Sequence, residues 1–552
     1  MRRSGFVAAL LLAGCEQDDV ERYRLPAAVV GPPREVLPPS APTSGGKVEF
    51  GSTFTALPPC DVSVTAAELP EQPTPTGGLW LWPSGHAAPI GAVEVVDVSA
   101  RLSDGSLDLA VHGPLTVQAS AGLELVATTP MVKGEASVRV RLLADGPAPL
   151  TMKLPDGRSA SVALRGYASR LPRLQLEVGA EAWKSLHVDF EADVWVEGTL
   201  REQTPAGADI GAPHPVRLRL HGGSSRQFHK KSLRVDLLQG HRLQDGRRRA
   251  ILRAEYVDKS LLRNWLGKDL LSAFTKLPVS RARHVHLRVD DRYIGVMLDV
   301  ERVDGDLLQA RGLERNGSLY EADPPLEIIV PGGNLTPLPD LDHYQRTYPR
   351  QAGPFEWEDL RLTIEELLQR PDAELQLDLD RYFAVDEVLI YWSAMVAMQN
   401  HDMIRKNYYL YRQVDAPDKR WRLLPWDLDL TFGHVWSEQN DVLEEAIIFD
   451  GPLDSGRNIG FIFYNHLFDR LMKLPQPRAR YRTLLGDLVK AALAPGVLES
   501  RLQTVACTLS ADVFADRRKR ASNAEWAGRV HEISTFLGAR RAFLLQALAQ
   551  GL

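Results

Sequence analysis

The segment from Asp402 to Asp429 constrains this chain more than any other. A helical run (Leu379 to Gln399) leads into Asp402, Asn407-Tyr408-Tyr409-Leu410-Tyr411 reads as a strand, Asp415 to Lys419 as a turn, and Arg420 to Leu424 as the returning strand. Strands of a hairpin are antiparallel, so its two ends meet. Asn407 is therefore expected beside Asp427, just past Pro425-Trp426, with Asp402 close by on the preceding turn. Two carboxylates and an amide would converge on one small volume. Such a set suits Mg²⁺ (or Mn²⁺), which prefers oxygen ligands, and leaves one carboxylate to orient a nucleophile.

With 552 residues the chain is too long for one core. Its composition, 44% hydrophobic and 25% charged with a formal net charge of -6, gives no nucleic-acid footprint. The short basic runs Arg247-Arg248-Arg249 and Arg517-Arg518-Lys519-Arg520 read as solvated faces. The first residues have the layout of an export signal: Arg2 and Arg3, an apolar stretch Phe6 to Leu12, then Leu12-Ala13-Gly14-Cys15. That ending resembles a bacterial lipobox, which implies removal of residues 1–14 and lipidation of Cys15; the alternative is an ordinary signal peptide with a chance cysteine. The expected location is the bacterial cell envelope, extracytoplasmic, with the membrane partner engaged through the lipid alone, since no other run reaches the roughly 18 apolar residues needed to span a bilayer. Cys60 and Cys507 remain as candidates for a disulfide in an oxidising compartment, or as two unrelated buried thiols.

Composition shifts divide the chain further. Residues 15–76, rich in Pro, Ser, Thr and Gly, read as a tether behind the lipidated cysteine. Residues 77–170 carry short alternating segments such as Val93 to Val98, Leu115 to Val117 and Ala136 to Leu142, punctuated by Gly, Pro or Asp, and read as a small all-β sandwich. From 171 to 552 the pattern is α+β. Strands are expected over 173–180, 187–199, 215–221, 231–238, 284–289 and 293–300, with one helix at Asp258 to Phe274 between the fourth and fifth. Beyond about residue 355 helices dominate, interrupted by the hairpin and ending around 464–472, 479–492 and 524–549. A strand-rich lobe followed by a helical lobe results.

The front lobe offers a second constellation. Strand residues Val216 to Leu220 lead to His221-Gly222-Gly223-Ser224-Ser225-Arg226, then Lys230-Lys231-Ser232 opens the next strand. A small flexible turn followed by a lysine can lay backbone N–H groups and an ammonium against phosphates, although Gly-Gly-Ser-Ser taken alone is better explained by a generic hairpin turn. Alternation places Lys231 on the face of Leu233, Val235 and Leu237 and turns Lys230 away, which favours Lys231 as the semi-buried, phosphate-directed lysine. Asp429 is expected to turn away from Asp427 and to act only as a helper, which weighs against a paired-carboxylate glycosidase. His284 and His286 read as exposed strand histidines rather than zinc ligands, Asp258 and Arg263 as hydrogen-bonding partners at a helix, and Leu266-Gly267 and Tyr391-Trp392 as core.

Taken in order, Arg219-x-His221-Gly222-Gly223-Ser224-Ser225-Arg226 with Lys230-Lys231-Ser232, Asp258-Lys259-Ser260-Leu261-Leu262-Arg263-Asn264, Tyr293-x-Gly295-Val296 with Glu301, Asn400-x-Asp402 with Asn407 to Tyr411, and Pro425-Trp426-Asp427-x-Asp429 resemble the CotH kinase family. The resemblance covers roughly residues 171–550. It implies a two-lobed atypical protein-kinase-like fold and transfer of the ATP γ-phosphoryl group, with Mg²⁺, to Ser or Thr of secreted or surface proteins. The five-residue interval between Asp402 and Asn407 is the one protein kinases use between base and metal-binding Asn. Carried over, Asp402 is the base, Arg405 and Lys406 neutralise developing charge, Asn407 and Asp427 hold metal with Asp429 helping, and Lys230 or Lys231 is the nucleotide lysine. Gly222, Gly223, Ser224, Ser225 and Arg226 then form the nucleotide turn, with Glu301 at the hinge or simply ending its strand. Gly223 stands where the family usually has Asn, which removes a side-chain amide from that turn. The other reading is a surface scaffold, or adhesion protein, that keeps the fold without turnover. A Mg²⁺-dependent hydrolase is a third.

Overall fold

The computed structural model describes residues 78–85, 87–325, 332–400, 402–403, 405–435, 444–445 and 465–551. The signal segment, Cys15, the tether and Cys60 lie outside the described residues.

Eight strands open the described chain: β1 (Leu79–Pro83), β2 (Ala88–Pro89), β3 (Val93–Ala100), β4 (Thr116–Ala119), β5 (Leu123–Thr128), β6 (Glu135–Leu142), β7 (Gly146–Lys153) and β8 (Ser159–Tyr167). They form two four-stranded sheets, ordered β1-β3-β6-β5 and β2-β8-β7-β4. The period-2 pattern decides which side chains go inward. Along β7, Ala148, Leu150 and Met152 are buried while the residues between them are not, and they meet Val96, Val98 and Val140 from the facing sheet in one core.

The next lobe is a closed barrel rather than an open sheet. Its strands β9 (Arg173–Glu177), β10 (Val196–Gln203), β11 (His214–Leu220), β12 (Leu233–Leu237), β13 (Arg249–Arg253), β14 (Ala282–Val289) and β15 (Arg292–Val300) run in the order β10-β11-β12-β13-β15-β14-β9. Closure comes from β9, which pairs parallel with β14 and antiparallel with β10, so no edge is left exposed. Two elements differ from the sequence reading. The expected strand over 187–199 is instead helix α1 (Ala180–Val188) followed by β10, because Ala-Glu-Ala-Trp-Lys-Ser-Leu is a run of helix-compatible residues after Gly179. Strand β13 was not expected at all, since the arginine run 247–249 masks its short apolar centre Ala250-Ile251-Leu252. Those arginines are not a solvated face either: Arg247 is buried against Asp299 and Asp245, while Arg248 and Arg249 pair with Asp306 and Asp304.

Helix α2 (Arg263–Phe274) lies between β13 and β14. Asp258 organises its start: its carboxylate accepts from the N–H groups of Ser260, Leu262 and Arg263 and from the Arg263 guanidinium, at 2.6–3.0 Å. The structural reading of Asp258 and Arg263 therefore holds.

The third region begins with α3 (Gly305–Ala310) and β16 (Ser318–Ala322). It continues through α4 (Leu341–Thr347), β17 (Arg350–Ala352), α5 (Glu358–Leu362), α6 (Asp372–Tyr382) and α7 (Val385–Met398) to the hairpin β18 (Tyr408–Arg412) and β19 (Arg422–Pro425). The helical run is thus two helices. It breaks at Phe383-Ala384 because the Ala384 N–H donates to the Trp421 carbonyl, docking the break on the hairpin. The sheet order is β17-β16-β18-β19. Helices α8 (His466–Lys473), α9 (Pro475–Ala491), α10 (Val497–Ala515) and α11 (Asn523–Ala549) follow; α8, α9 and α11 pack on α7, with Trp392 stacked on Phe468 at 4.0 Å between centroids. Helix α10, absent from the sequence reading, ties the molecule together. Its Asp512 accepts from Tyr167 of β8 at 2.8 Å and pairs with His286 of β14 at 2.7 Å, and its Asp516 pairs with Lys230 at 2.7 Å. Cys507 on the same helix is disulfide-bonded, to a partner outside the described residues.

Candidate active site

The hairpin register builds the first half of the site. Tyr408 faces Pro425, and the Trp426 N–H donates to the Asn407 carbonyl at 3.2 Å, so Asn407 and Asp427 meet at the open end. Asn407 is also held by β16, its N–H donating to Ala322 at 2.9 Å. Asp402 Oδ2 accepts from Lys406 Nζ and from Asn407 Nδ2, both at 2.8 Å. Burial raises the Asp402 carboxyl above its ordinary value; Lys406 opposes this and the nearby Asp427 charge adds to it. Asp402, Lys406, Asn407 and Asp427 are therefore brought together. The Arg405 carbonyl accepts from the Gly333 N–H at 2.7 Å.

The second half comes from residues far earlier in the chain. Arg253, ending β13, places Nη2 at 2.7 Å from Asp427 Oδ1 and 3.3 Å from Asp429 Oδ2, while its Nε donates to Glu255 at 2.8 Å. One guanidinium thus holds three carboxylates. Burial pushes Asp427 up, but Arg253 overrides it and keeps that carboxyl low; burial and the Asp427 charge push Asp429 well up. This corrects the reading of Asp429. It does not turn away from Asp427, because both side chains reach the same guanidinium.

Helix α2 packs directly on this loop. Asn264 donates to Glu255 at 3.0 Å and accepts from the Leu428 N–H at 3.3 Å, and a Cβ on Gly267 would come within 2.9 Å of the Leu428 side chain. One turn on, Lys268 is 3% exposed with its Nζ 5.1 Å from the Trp426 ring centroid. Burial, and after it the Arg253 charge, push Lys268 down to about 8. Strain gathers here too. Glu255, Asn407 and Asp427 all adopt left-handed backbone (φ 45, 64 and 38), which costs non-glycine residues on the order of 1 kcal/mol or more each.

The glycine turn adjoins this centre through His221, which burial and the Arg253 and Arg219 charges hold down at about 3 while Asp427 opposes them. Gly222 (φ 100) is required, since a Cβ would meet Ser225 Oγ at 2.1 Å; Gly223 faces open space. Ser224 and Ser225 start a single 3₁₀ turn, and Arg226 is anchored to Asp193 at 2.7 Å.

The two lysines reverse the expected alternation. Strand β12 begins only at Leu233, so Lys230 and Lys231 precede the pleat. Lys230 is the one buried, donating to the Val296 carbonyl at 2.6 Å and to Asp516, while Lys231 bonds the Arg226 carbonyl and lies 5.4 Å from the Phe190 ring. Glu301, just past β15, binds Arg281 and Arg311 at 2.7–3.2 Å. His284 and His286 are buried rather than exposed: His284 Nε2 donates to the Leu261 carbonyl at 2.8 Å, and His286 pairs with Asp512.

Arg253, Glu255, Asn264 and Lys268 escaped the sequence reading as site residues, although the run Asp258 to Asn264 marks the helix that carries two of them. The donor set suits a hard divalent cation. Glu255 Oε2 is buried without a hydrogen-bond donor, and Asp427 Oδ1 receives no well-aimed N–H from its ion-pair partner, leaving oxygen ligands unsatisfied. Another acidic group, Asp340, Asp342 and His343, is largely exposed, and Asp340 there caps α4.

An Asp–Lys–Asn triad at a hairpin mouth, facing an aspartate on the return loop between a barrel lobe and a helical lobe, is the layout of a kinase-like protein. The family model described as "CotH kinase protein" matches residues 218–544, and the chain belongs to that family. It is 24% identical over 362 residues to the inner spore coat protein H of Bacillus subtilis (strain 168), covering 64% of this chain and 90% of that protein. A solved Shewanella oneidensis MR-1 structure of the HipA, HipB toxin–antitoxin system with operator DNA is similar at a TM-score of 0.27 and 13% identity, over 74% of this chain and 76% of that one. Among the described residues no helix is long and apolar enough to cross a membrane.

Proposed function

We propose that this protein is a protein serine/threonine kinase of the cell envelope, transferring the ATP γ-phosphoryl group to hydroxyls of secreted or surface proteins. The observation that carries the reading is the meeting of Asp402, Lys406 and Asn407 with Asp427 across the hairpin mouth. Asp427 and Asn407 would hold Mg²⁺ or Mn²⁺, which supplies charge neutralisation at the phosphates. Asp402 accepts the hydroxyl proton of the acceptor. Lys406, which donates to Asp402 Oδ2, fixes that carboxylate and places a positive charge where negative charge develops. The similarity to a spore coat protein supports an envelope or coat setting, and lipidation of Cys15 would hold the chain there.

A second reading rests on a specific contact. Arg253 already occupies Asp427, Asp429 and Glu255, so an internal cation competes with the metal, as suits a kinase-like scaffold with little turnover. Incubation of residues 16–552 with labelled ATP and Mg²⁺ or Mn²⁺ separates the two. The kinase reading expects labelling of the protein or of a generic acceptor, abolished by Asp427→Ala. Absence of transfer with either metal supports the scaffold, and equal labelling by the variant contradicts the metal assignment.

A further inference from the structure

Four described cations at Asp427 or after the glycine turn have hydrogen-bonding partners. Arg253 is shared among three carboxylates, Lys406 is bound to Asp402, Lys230 is sealed between Val296 and Asp516, and Lys231 bonds the Arg226 carbonyl. Lys268 Nζ is buried and forms no hydrogen bond. A buried ammonium without hydrogen-bond acceptors is costly, and an unsatisfied buried polar group calls for an explanation such as a functional role or a bound ion.

Its position is fixed from both sides. Asn264, one turn earlier on the same face of α2, grips the Leu428 N–H, and the Trp426 ring covers the Lys268 amine. The helix therefore holds Lys268 against the segment Trp426 to Leu428 that carries Asp427, whose side chain is 21% exposed. Asp427 and Glu255 are the nearest opposing charges, and neither bonds Lys268. The flexible four-carbon stem lets the ammonium shift toward Asp427 without moving the helix.

We propose that Lys268 is the phosphate-binding lysine of this site, receiving the terminal phosphates of a nucleoside triphosphate beside Asp427, and that Lys230 is a structural cation. This rests on the nucleotide reading above, with one part independent of it: the ligand chemistry is a polyphosphate, whether or not a nucleoside is attached.

The test uses the full chain, with Lys268→Met and Lys231→Met as variants and two probes, Mg²⁺-ATP and inorganic tripolyphosphate. Methionine conserves the stem volume, so removal of an unpaired buried charge should leave Tm unchanged or raise it. Dissociation constants for both probes should rise at least about tenfold in Lys268→Met, the order expected for one charged hydrogen bond, and less than about twofold in Lys231→Met. AMP binding should change little in either. Lys268-dependent binding of tripolyphosphate without ATP binding sustains the lysine assignment and removes the nucleotide reading. Unchanged affinity for both probes in Lys268→Met overturns the assignment, as does failure of the wild type to bind either. A marked fall in Tm, with affinity intact, would show Lys268 to be merely the counter-charge of Glu255.

Discussion

Two buried acidic clusters sit in this molecule, and they are built on opposite principles. At the end of α10, Asp512 and Asp516 are saturated. Asp512 is bound by Tyr167, Ser169 and His286, and Asp516 by Lys230 and the N–H groups of Val296, Arg518 and Lys519. At the hairpin mouth, Asp427 and Glu255 keep oxygens without well-placed donors, Lys268 keeps an unpaired amine, and three residues sit in left-handed backbone. A satisfied network rigidifies and anchors; an unsatisfied one stores a requirement for something else to bind. The motif lysine Lys230 belongs to the first kind, despite its place after the glycine turn.

The largest expected effect tests that division at the site. Asp427→Ala should lower phosphoryl transfer by about 10²-fold or more, the order seen when a preorganised electrostatic group is removed, with far-UV spectrum and Tm little changed. The second targets the anchor. Asp516→Ala leaves Lys230 uncompensated in a fully buried position, so chemical denaturation should show a loss of about 3–5 kcal/mol, while transfer per folded molecule stays near wild type. A site effect from Asp516→Ala as large as that of Asp427→Ala would erase the comparison.

Acid should weaken the anchor region next. Burial pushes His284 and His286 down to about 4, so both are neutral in the folded chain while the unfolded chain protonates them near 6.5. Stability is then complete above that unfolded value and falls as pH drops from about 6.5 toward 4, by at most about 1.4 kcal/mol per histidine per pH unit. Thermal melts of wild type and His286→Gln across this window should diverge, the variant losing less. The smallest effect is at Gly223, where a side chain meets nothing within 4 Å. Gly223→Asn should shift stability by less than about 0.5 kcal/mol, and any gain in nucleotide affinity would show that the turn touches the ligand.

These two regions also differ in how far the sequence exposes them. The hairpin, its register and the convergence of Asp402, Asn407 and Asp427 are legible because strand periodicity and antiparallel pairing are local rules. The partners of Asp427 are not, since Arg253 and Glu255 lie more than 170 positions upstream and arrive only when the barrel closes. The burial of Lys230 is hidden for a similarly physical reason: alternation holds only within the pleat, which begins at Leu233, and the acid that pairs with Lys230 stands on α10, a helix whose amphipathic pattern is weak. Gly295 in the Tyr293-x-Gly295-Val296 motif becomes explicable only with that helix in place, because a Cβ there would come within 2.3 Å of the Asp516 carboxylate.

The most direct test of the division is the Mg²⁺-ATP-dependent rise in Tm, measured side by side in wild type, Asp427→Ala and the double variant Lys230→Met/Asp516→Asn. The account predicts a rise in wild type and in the double variant, from a lower starting Tm, and none in Asp427→Ala. A rise that survives in Asp427→Ala but disappears in the double variant would contradict it, placing the nucleotide at Lys230.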